Sequence, residues 1–302
     1  MALRQLTRSA IRRHPTFLRL PPGLSTYTHY MIYIGTSGFS YDDWKGHFYP
    51  ESMDKKEMLA YYSRRFSCVE VNSTYYALPS PFTFVSMMRK SGPDFHFVVK
   101  AHKDMTHAEE PTPEIFEGFK TAIHPLIEQR RLGCALAQFP WSFKNTSDNQ
   151  DKLRWFKERM GDIPTVIEFR NVDWVNDETF ALLREMNLGF CSVDEPGLKG
   201  LMPRIAVATS KIGYVRFHGR NAHDWWKHEA AWQRYNYLYT PEELEEWVPR
   251  VRKLEQETEA TYLFFNNHYQ GKSAQNARMF ASMLDLPLPT VEPAAEPGTL
   301  DI

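Results

Sequence analysis

The stretch PTVIEFRNVDWVNDETFALLREMNLGFCSVD, residues 164–194, decides the fold. Its first segment, PTVIEFR, alternates along the chain. Ile167 and Phe169 fall on one face, Glu168 and Arg170 on the other, as in a β-strand. Asn176-Asp177-Glu178 then marks a helix start, with acids at the positive end of the helix dipole, and predicts a helix over 177–186. GFCSVD, 189–194, returns to strand character. Strand, helix and strand in this order form a βα repeat of the kind that builds parallel sheets.

The same alternation continues in both directions. Strand-like runs lie at 32–37, 68–74, 95–101, 134–139, 164–170, 189–194, 213–218 and 261–266. Helix signals separate most of them. Ser80-Pro81 opens 81–90, Thr112-Pro113 opens 113–130, and Ser147-Asp148 opens 148–160. Thr240-Pro241 with Glu243 is a capping box that opens a long helix to about 257. Helices are also expected at 53–66 and 272–284, whereas the connection between strands six and seven, PGLKGLMPRIAVATSK, lacks one. Eight βα units over residues 31–286 predict an α/β fold, a (β/α)8 TIM-type barrel. No GxGxxG or GxxxxGK[ST] follows any strand, so nothing points to a dinucleotide or P-loop site.

Composition narrows the partners. The chain has 302 residues, 42% hydrophobic and 24% charged, and no apolar run long enough for a membrane helix. Its net charge of −1 hides an asymmetry, because residues 1–30 carry five arginines and no acid. The remainder has 31 Lys+Arg against 37 Asp+Glu, a net of −6, which argues against binding a nucleic-acid backbone. The arginine-rich leader reads either as a mitochondrial transit segment in a eukaryote or as an over-long start before Met31. Residues 287–302, rich in Pro, Ala and Glu, are expected to form a disordered tail. Cys68, Cys134 and Cys191 form no CxxC pair and suit packing in a reducing, cytoplasmic compartment.

Side-chain parity concentrates polar groups late in the strands. Glu70 pairs with Asn72, Lys100 with His102, Glu168 with Arg170, and Arg216 with His218, each opposite an apolar face. Arg220 falls on the face of Arg216 and His218. Gln138, Asp194 and Asn266 lie near strand ends. In a barrel, these positions line the C-terminal mouth, where ligand sites form. The loops above add Trp44, Tyr75 and Trp174. Flat rings beside cations suit a small ligand with a planar or sugar-like body and a negative charge.

The stretches IGTSGFSYDDWKGHFYP (34–50), FSCVEVNSTYYALPS (66–80), LAQFPWSF (136–143), VIEFRNVDW (166–174), YVRFHGRN (214–221) and YLFFNNHYQGKSAQNA (262–277) together resemble the DUF72, or YecE-like, family. The resemblance covers nearly all of 31–286 and implies a TIM-type barrel, but no reaction. One departure is Gly38-Phe39-Ser40, where the family has Gly-Trp-Ser.

Three chemical expectations follow. In the first, Asn72, Tyr75, Lys100, Gln138, Arg170, Asp194, Arg216, Asn266, Trp44 and Trp174 bind a small anionic ligand, while Glu70, Glu168 and His218 supply acid/base chemistry for a hydrolase or isomerase. No cofactor is predicted. In the second, Glu168, Asp194 and His218, with Asn266 or Asn267, hold a divalent metal for phosphodiester or isomerase chemistry, by analogy with endonuclease IV and xylose isomerase. In the third, the mouth is a non-catalytic module that binds a ligand or single-stranded nucleic acid by stacking. Against all three stands an internal salt-bridge network, Glu168–Arg170–Glu70–Arg216, that only closes the barrel.

Overall fold

The computed structural model describes residues 31–289; the leader and most of the expected tail lie outside the described residues. Eight strands form where alternation predicts them: β1 (Met31–Thr36), β2 (Cys68–Val71), β3 (His96–Lys100), β4 (Leu132–Gln138), β5 (Thr165–Glu168), β6 (Gly189–Asp194), β7 (Ile212–Phe217) and β8 (Ala260–Phe265). Every pairing is parallel, in the order β1-β8-β7-β6-β5-β4-β3-β2. A bridge between Ser37 and Glu70, with the Gly38 amide donating to the Glu70 carbonyl at 2.8 Å, links β1 back to β2. The sheet is thus a nearly closed TIM-type barrel.

Ten helices follow the strands: α1 (Met58–Tyr62), α2 (Pro81–Lys90), α3 (Lys103–Thr106), α4 (Pro113–Glu128), α5 (Ser147–Met160), α6 (Asp177–Glu185), α7 (Ala231–Arg234), α8 (Pro241–Glu245), α9 (Val248–Glu257) and α10 (Lys272–Met283). None is long and apolar enough to cross a membrane among the described residues. The caps are largely those expected. Asn176 accepts from the Thr179 amide at 2.8 Å, and Thr240 and Glu243 complete their capping box. The cap of α5 is Thr146, one residue before the expected cap, Ser147. The expected helix from 241 to about 257 is broken into α8 and α9, because Pro249 has no N–H to offer the Glu245 carbonyl and its ring crowds it. The run at 53–66 yields only the short α1, preceded by a 3-10 turn at Lys55–Glu57. As expected, no helix joins β6 to β7.

The β1–β2 seam has an unusual filling. The Thr36 amide donates not to a strand carbonyl but to the Tyr62 hydroxyl, at 2.8 Å, and that hydroxyl donates to the Cys68 carbonyl at 3.2 Å. Gly35 allows the approach, since a Cβ there would lie 2.3 Å from the Cys68 oxygen. Tyr62→Phe removes the bridging hydroxyl and leaves a buried donor and a buried acceptor without partners. We expect a loss of about 1–3 kcal/mol in denaturant unfolding, with faster amide exchange at Thr36; unchanged exchange there would contradict this account of closure.

Inside the barrel the side chains form layers. At the N-terminal end Tyr33 stacks on His96 and Tyr262, with ring centroids 4.4 and 4.9 Å away. Above them Tyr214 donates to Glu70 at 2.7 Å. The charged residues named above come next.

Candidate functional site

Glu70, from the end of β2, and Glu168, from the end of β5, face Arg216 of β7 across the barrel interior. All three are buried. The two terminal nitrogens of Arg216 donate to Glu70 Oε1 at 2.7 Å and to Glu168 Oε2 at 2.5 Å. Arg170 Nε lies 2.7 Å from Glu168 Oε1, and His218 Nε2 lies 3.1 Å from the same oxygen. A carboxylate can only accept, so His218 carries its proton on Nε2, and its Nδ1 accepts from Asn266 at 3.0 Å. The predicted salt-bridge network therefore forms, and it forms as a chain from Glu70 through Arg216 and Glu168 to Arg170.

Burial pushes the Glu168 carboxyl up, but Arg170, Arg216 and His218 outweigh it and hold it well below the usual range. The stability this gives is present above a carboxyl's ordinary value near pH 4 and is lost as pH falls through the lower folded one. Burial, helped by Arg170, pushes His218 down to about 3, so the imidazole is neutral at pH 7.

Over this sealed layer opens a cavity of about 710 Å³. Asn72, Tyr75, Lys100, Gln138, Arg170, Arg216 and Asn266 all line it. Lys100 Nζ donates to Gln138 Oε1 at 2.8 Å and lies 4.4 Å from the centre of the Tyr75 ring. Arg170 reaches the same Gln138 oxygen at 3.5 Å. The two arginines are balanced by the two glutamates below, whereas Lys100 has no carboxylate within 4.0 Å among the described residues. Burial and the Arg216 charge, with Arg170 adding to them, outweigh the opposing pull of Glu168 and Glu70 and push the Lys100 amine down to about 7. Aromatic rings add to the wall, from Phe39, Tyr76, Tyr235 and the stacked pair Tyr41 and His268, whose ring centroids are 4.7 Å apart. Asn72 Oδ1 and His268 Nδ1 are buried in it without hydrogen-bond partners.

The comparisons agree with this architecture. The profile of the family described as "Protein of unknown function DUF72" matches residues 33–299. The chain belongs to the DUF72 family. The UPF0759 protein YunF of Bacillus subtilis is 32% identical over 272 residues, which are 85% of this chain and 95% of YunF. The UPF0759 protein YecE of Escherichia coli K12 is 31% identical over 115 residues, 37% of this chain and 39% of YecE. A crystal structure of a DUF72 family protein from Thermotoga maritima has a TM-score of 0.78 at 43% identity, covering 84% of this chain and 99% of that one. One from Enterococcus faecalis gives 0.75 at 27% identity, covering 90% and 100%.

Within this DUF72 barrel three expected binding residues lie away from the cavity. Trp44 is wholly buried and donates from its ring nitrogen to the His268 carbonyl at 2.6 Å. Trp174 is likewise buried and donates to the Phe143 carbonyl at 2.7 Å. Both pin mouth loops, and the aromatic lining comes from smaller rings. Asp194 is turned to the helix side. It accepts from Trp247 at 2.7 Å, from Tyr239 at 2.8 Å, and from Arg220 at 2.8 and 3.0 Å. Glu70, Glu168 and His218, named as catalytic candidates, lie beneath the cavity rather than in its wall.

Arg220 leaves the face of Arg216 and His218 for a physical reason. Gly219 has φ +93°, which ends the strand alternation and sends the next side chain outward to Asp194. Asn267 is also outward, donating to Asn276 of α10 at 2.8 Å. The donor set proposed for a divalent metal is thus split between two faces of the sheet, and no trio of His, Cys, Asp or Glu among the described residues is grouped to hold an ion.

Parity counted from Phe190, which packs on Phe180 of α6, would have placed Glu195 inward and Asp194 outward. Glu195 is the inward carboxylate that sequence reasoning missed. Burial raises it to about 7, and its Oε2 lies 3.8 Å from Arg170. Asp194→Asn turns an N–H₂ toward a set of donors. We expect it to lower stability by about 2–3 kcal/mol while leaving anion binding by the folded protein unchanged, as measured by denaturation and by calorimetric titration.

Proposed function

We propose that the mouth cavity binds a small anionic ligand with a planar or sugar-like body. The observation that carries this reading is Lys100, an amine in the cavity wall that hydrogen-bonds the Gln138 amide oxygen and, among the described residues, has no carboxylate within 4.0 Å, Glu168 and Glu70 being engaged by Arg216. Such a group has no carboxylate paired directly with it. A ligand carboxylate or phosphate would be that direct partner, with Arg170 offering its terminal nitrogens beside it. The rings of Tyr75, Tyr235, Tyr41 and His268 offer flat surfaces to the body of such a ligand, and Asn72 and His268 offer unused polar atoms.

Acid/base turnover through Glu70, Glu168 and His218 has less support. Glu168 already accepts from Arg216 and His218 and is ion-paired with Arg170, His218 uses both ring nitrogens, and Glu70 meets Arg216 and Tyr214. Binding is therefore the function put forward, and the network is its rigid floor.

The pH dependence follows with a definite sign. Binding an anion raises the Lys100 pKa above its free value of about 7, so binding takes up a proton at higher pH and weakens as pH rises. Glu195 acts in the same direction, because it becomes charged over the same interval. In thermal-shift screens of sugar phosphates and small carboxylates, at least one compound should raise the melting temperature at pH 6. Its affinity should fall about ten- to hundredfold by pH 9. No response at pH 6, or a response undiminished at pH 9, would overturn the proposal.

A further inference from the structure

Most lysine ion pairs of this chain lie at the surface. Lys45, Lys55, Lys56, Lys211 and Lys253 each have a carboxylate within 4.0 Å and a partly or largely exposed side chain. Lys100 differs in its partners and its place. It ends β3 inside the barrel mouth, has no such carboxylate among the described residues, and sits beside Arg170 on a shared amide oxygen. Its amine borders a cavity large enough for a small metabolite. A lysine set beside other cations keeps a larger share of its amine uncharged near neutral pH than a surface lysine does, and the uncharged amine is the nucleophile from which imines are made.

We propose that Lys100 condenses with the carbonyl carbon of a small anionic aldehyde or ketone held in this cavity, forming an imine. The proposal rests on the anion-binding reading above and adds the reactive group of the ligand to it. The Nζ electron pair forms the C–N bond as the carbonyl π pair moves to oxygen, which takes a proton. The proton on oxygen is one of the two amine protons; the resulting carbinolamine then loses its hydroxyl together with the second amine proton as water, while the nitrogen pair closes the C=N bond. One water leaves and no oxidant or reductant is needed. Burial and Arg216 favour the uncharged amine that the first step requires. Arg170 would hold the anionic group, and Gln138 orients the amine through its 2.8 Å hydrogen bond. Lys100 would touch the reacting atom directly; Gln138 is a positioning residue.

The test is reductive trapping on the full chain. The protein is incubated with glyoxylate and borohydride near pH 7.5, digested, and mapped by mass spectrometry. Exposed Lys199 and Lys227 in the same sample serve as internal references. Lys100 should be alkylated about tenfold or more faster than either, because a far larger fraction of its amine is unprotonated. Excess inorganic phosphate should suppress that labelling and leave the surface lysines unaffected. Lys100→Arg should show no trapped adduct at position 100, while Lys199 and Lys227 label in it as in the wild type. If Lys100 labels no faster than the references while phosphate still binds, imine formation is overturned and the anion site stands. If phosphate neither binds nor protects and Lys100 does not label, both readings fall.

Discussion

Arg216→Met is expected to cost about 3–5 kcal/mol of stability at pH 7, a large fraction of what a folded domain has. The reason lies in where Arg216 stands. Its two terminal nitrogens join Glu70 and Glu168, both fully buried, across the barrel interior. Methionine fills much of the same volume but leaves two carboxylates without their shared cation. The loss is unequal. Glu168 keeps Arg170 and His218, whereas Glu70 keeps only the Tyr214 hydroxyl. A second substitution should reveal this. Glu70→Gln placed in the Arg216→Met background should recover more stability than Glu168→Gln placed there. Urea unfolding of the three variants checks it. A cost below about 1 kcal/mol for Arg216→Met, or equal rescue by the two glutamines, would mean that the network is not organised as described.

Lys100→Met is expected to act the other way and raise stability by about 1–2 kcal/mol at pH 6. The sign follows from the direction of the shift. The folded value of about 7 lies below the unfolded lysine value near 10.4, so the unfolded chain binds the proton more readily. Lys100 therefore opposes folding fully below pH 7, and this opposition fades as pH rises toward 10. The stabilisation in Lys100→Met should shrink accordingly between pH 6 and pH 9.5 in paired urea titrations. Destabilisation at pH 6, or a difference that does not change with pH, would contradict the picture of an uncompensated amine. A residue that weakens the fold and faces a cavity is the signature of a site shaped by its ligand rather than by packing alone.

The barrel was legible because its signals are local and periodic. Each strand carries two-residue alternation, and Ser80, Asn176 and Thr240 cap helices as their side chains predict. The inward polar residues of β2, β5 and β7 also followed from parity, as did Lys100 of β3, so that Lys100, Arg170 and Arg216 share one cavity wall, whereas His102, expected beside Lys100, caps α3 instead. What could not be read depends on distant contacts or on one backbone angle. The positive φ of Gly219 redirects Arg220. Trp44 and Trp174 are consumed by carbonyls of other loops, His268 and Phe143, so their size drew them inward to hold loops rather than outward to a ligand. Tyr235 and His268 reach the cavity from loops whose course no strand period dictates. The break at Pro249 was visible in the chain, yet the capping box at Thr240 outweighed it in predicting one long helix.

The central claim is that Lys100 anchors an anion site in the barrel mouth. Its most direct test is calorimetric titration of inorganic phosphate at pH 6 into the wild-type chain and into Lys100→Met, with both shown to be folded. The account predicts saturable binding at a single site in the wild type and none in the variant. Binding of equal strength in both proteins, or no saturable binding in the wild type, would contradict it.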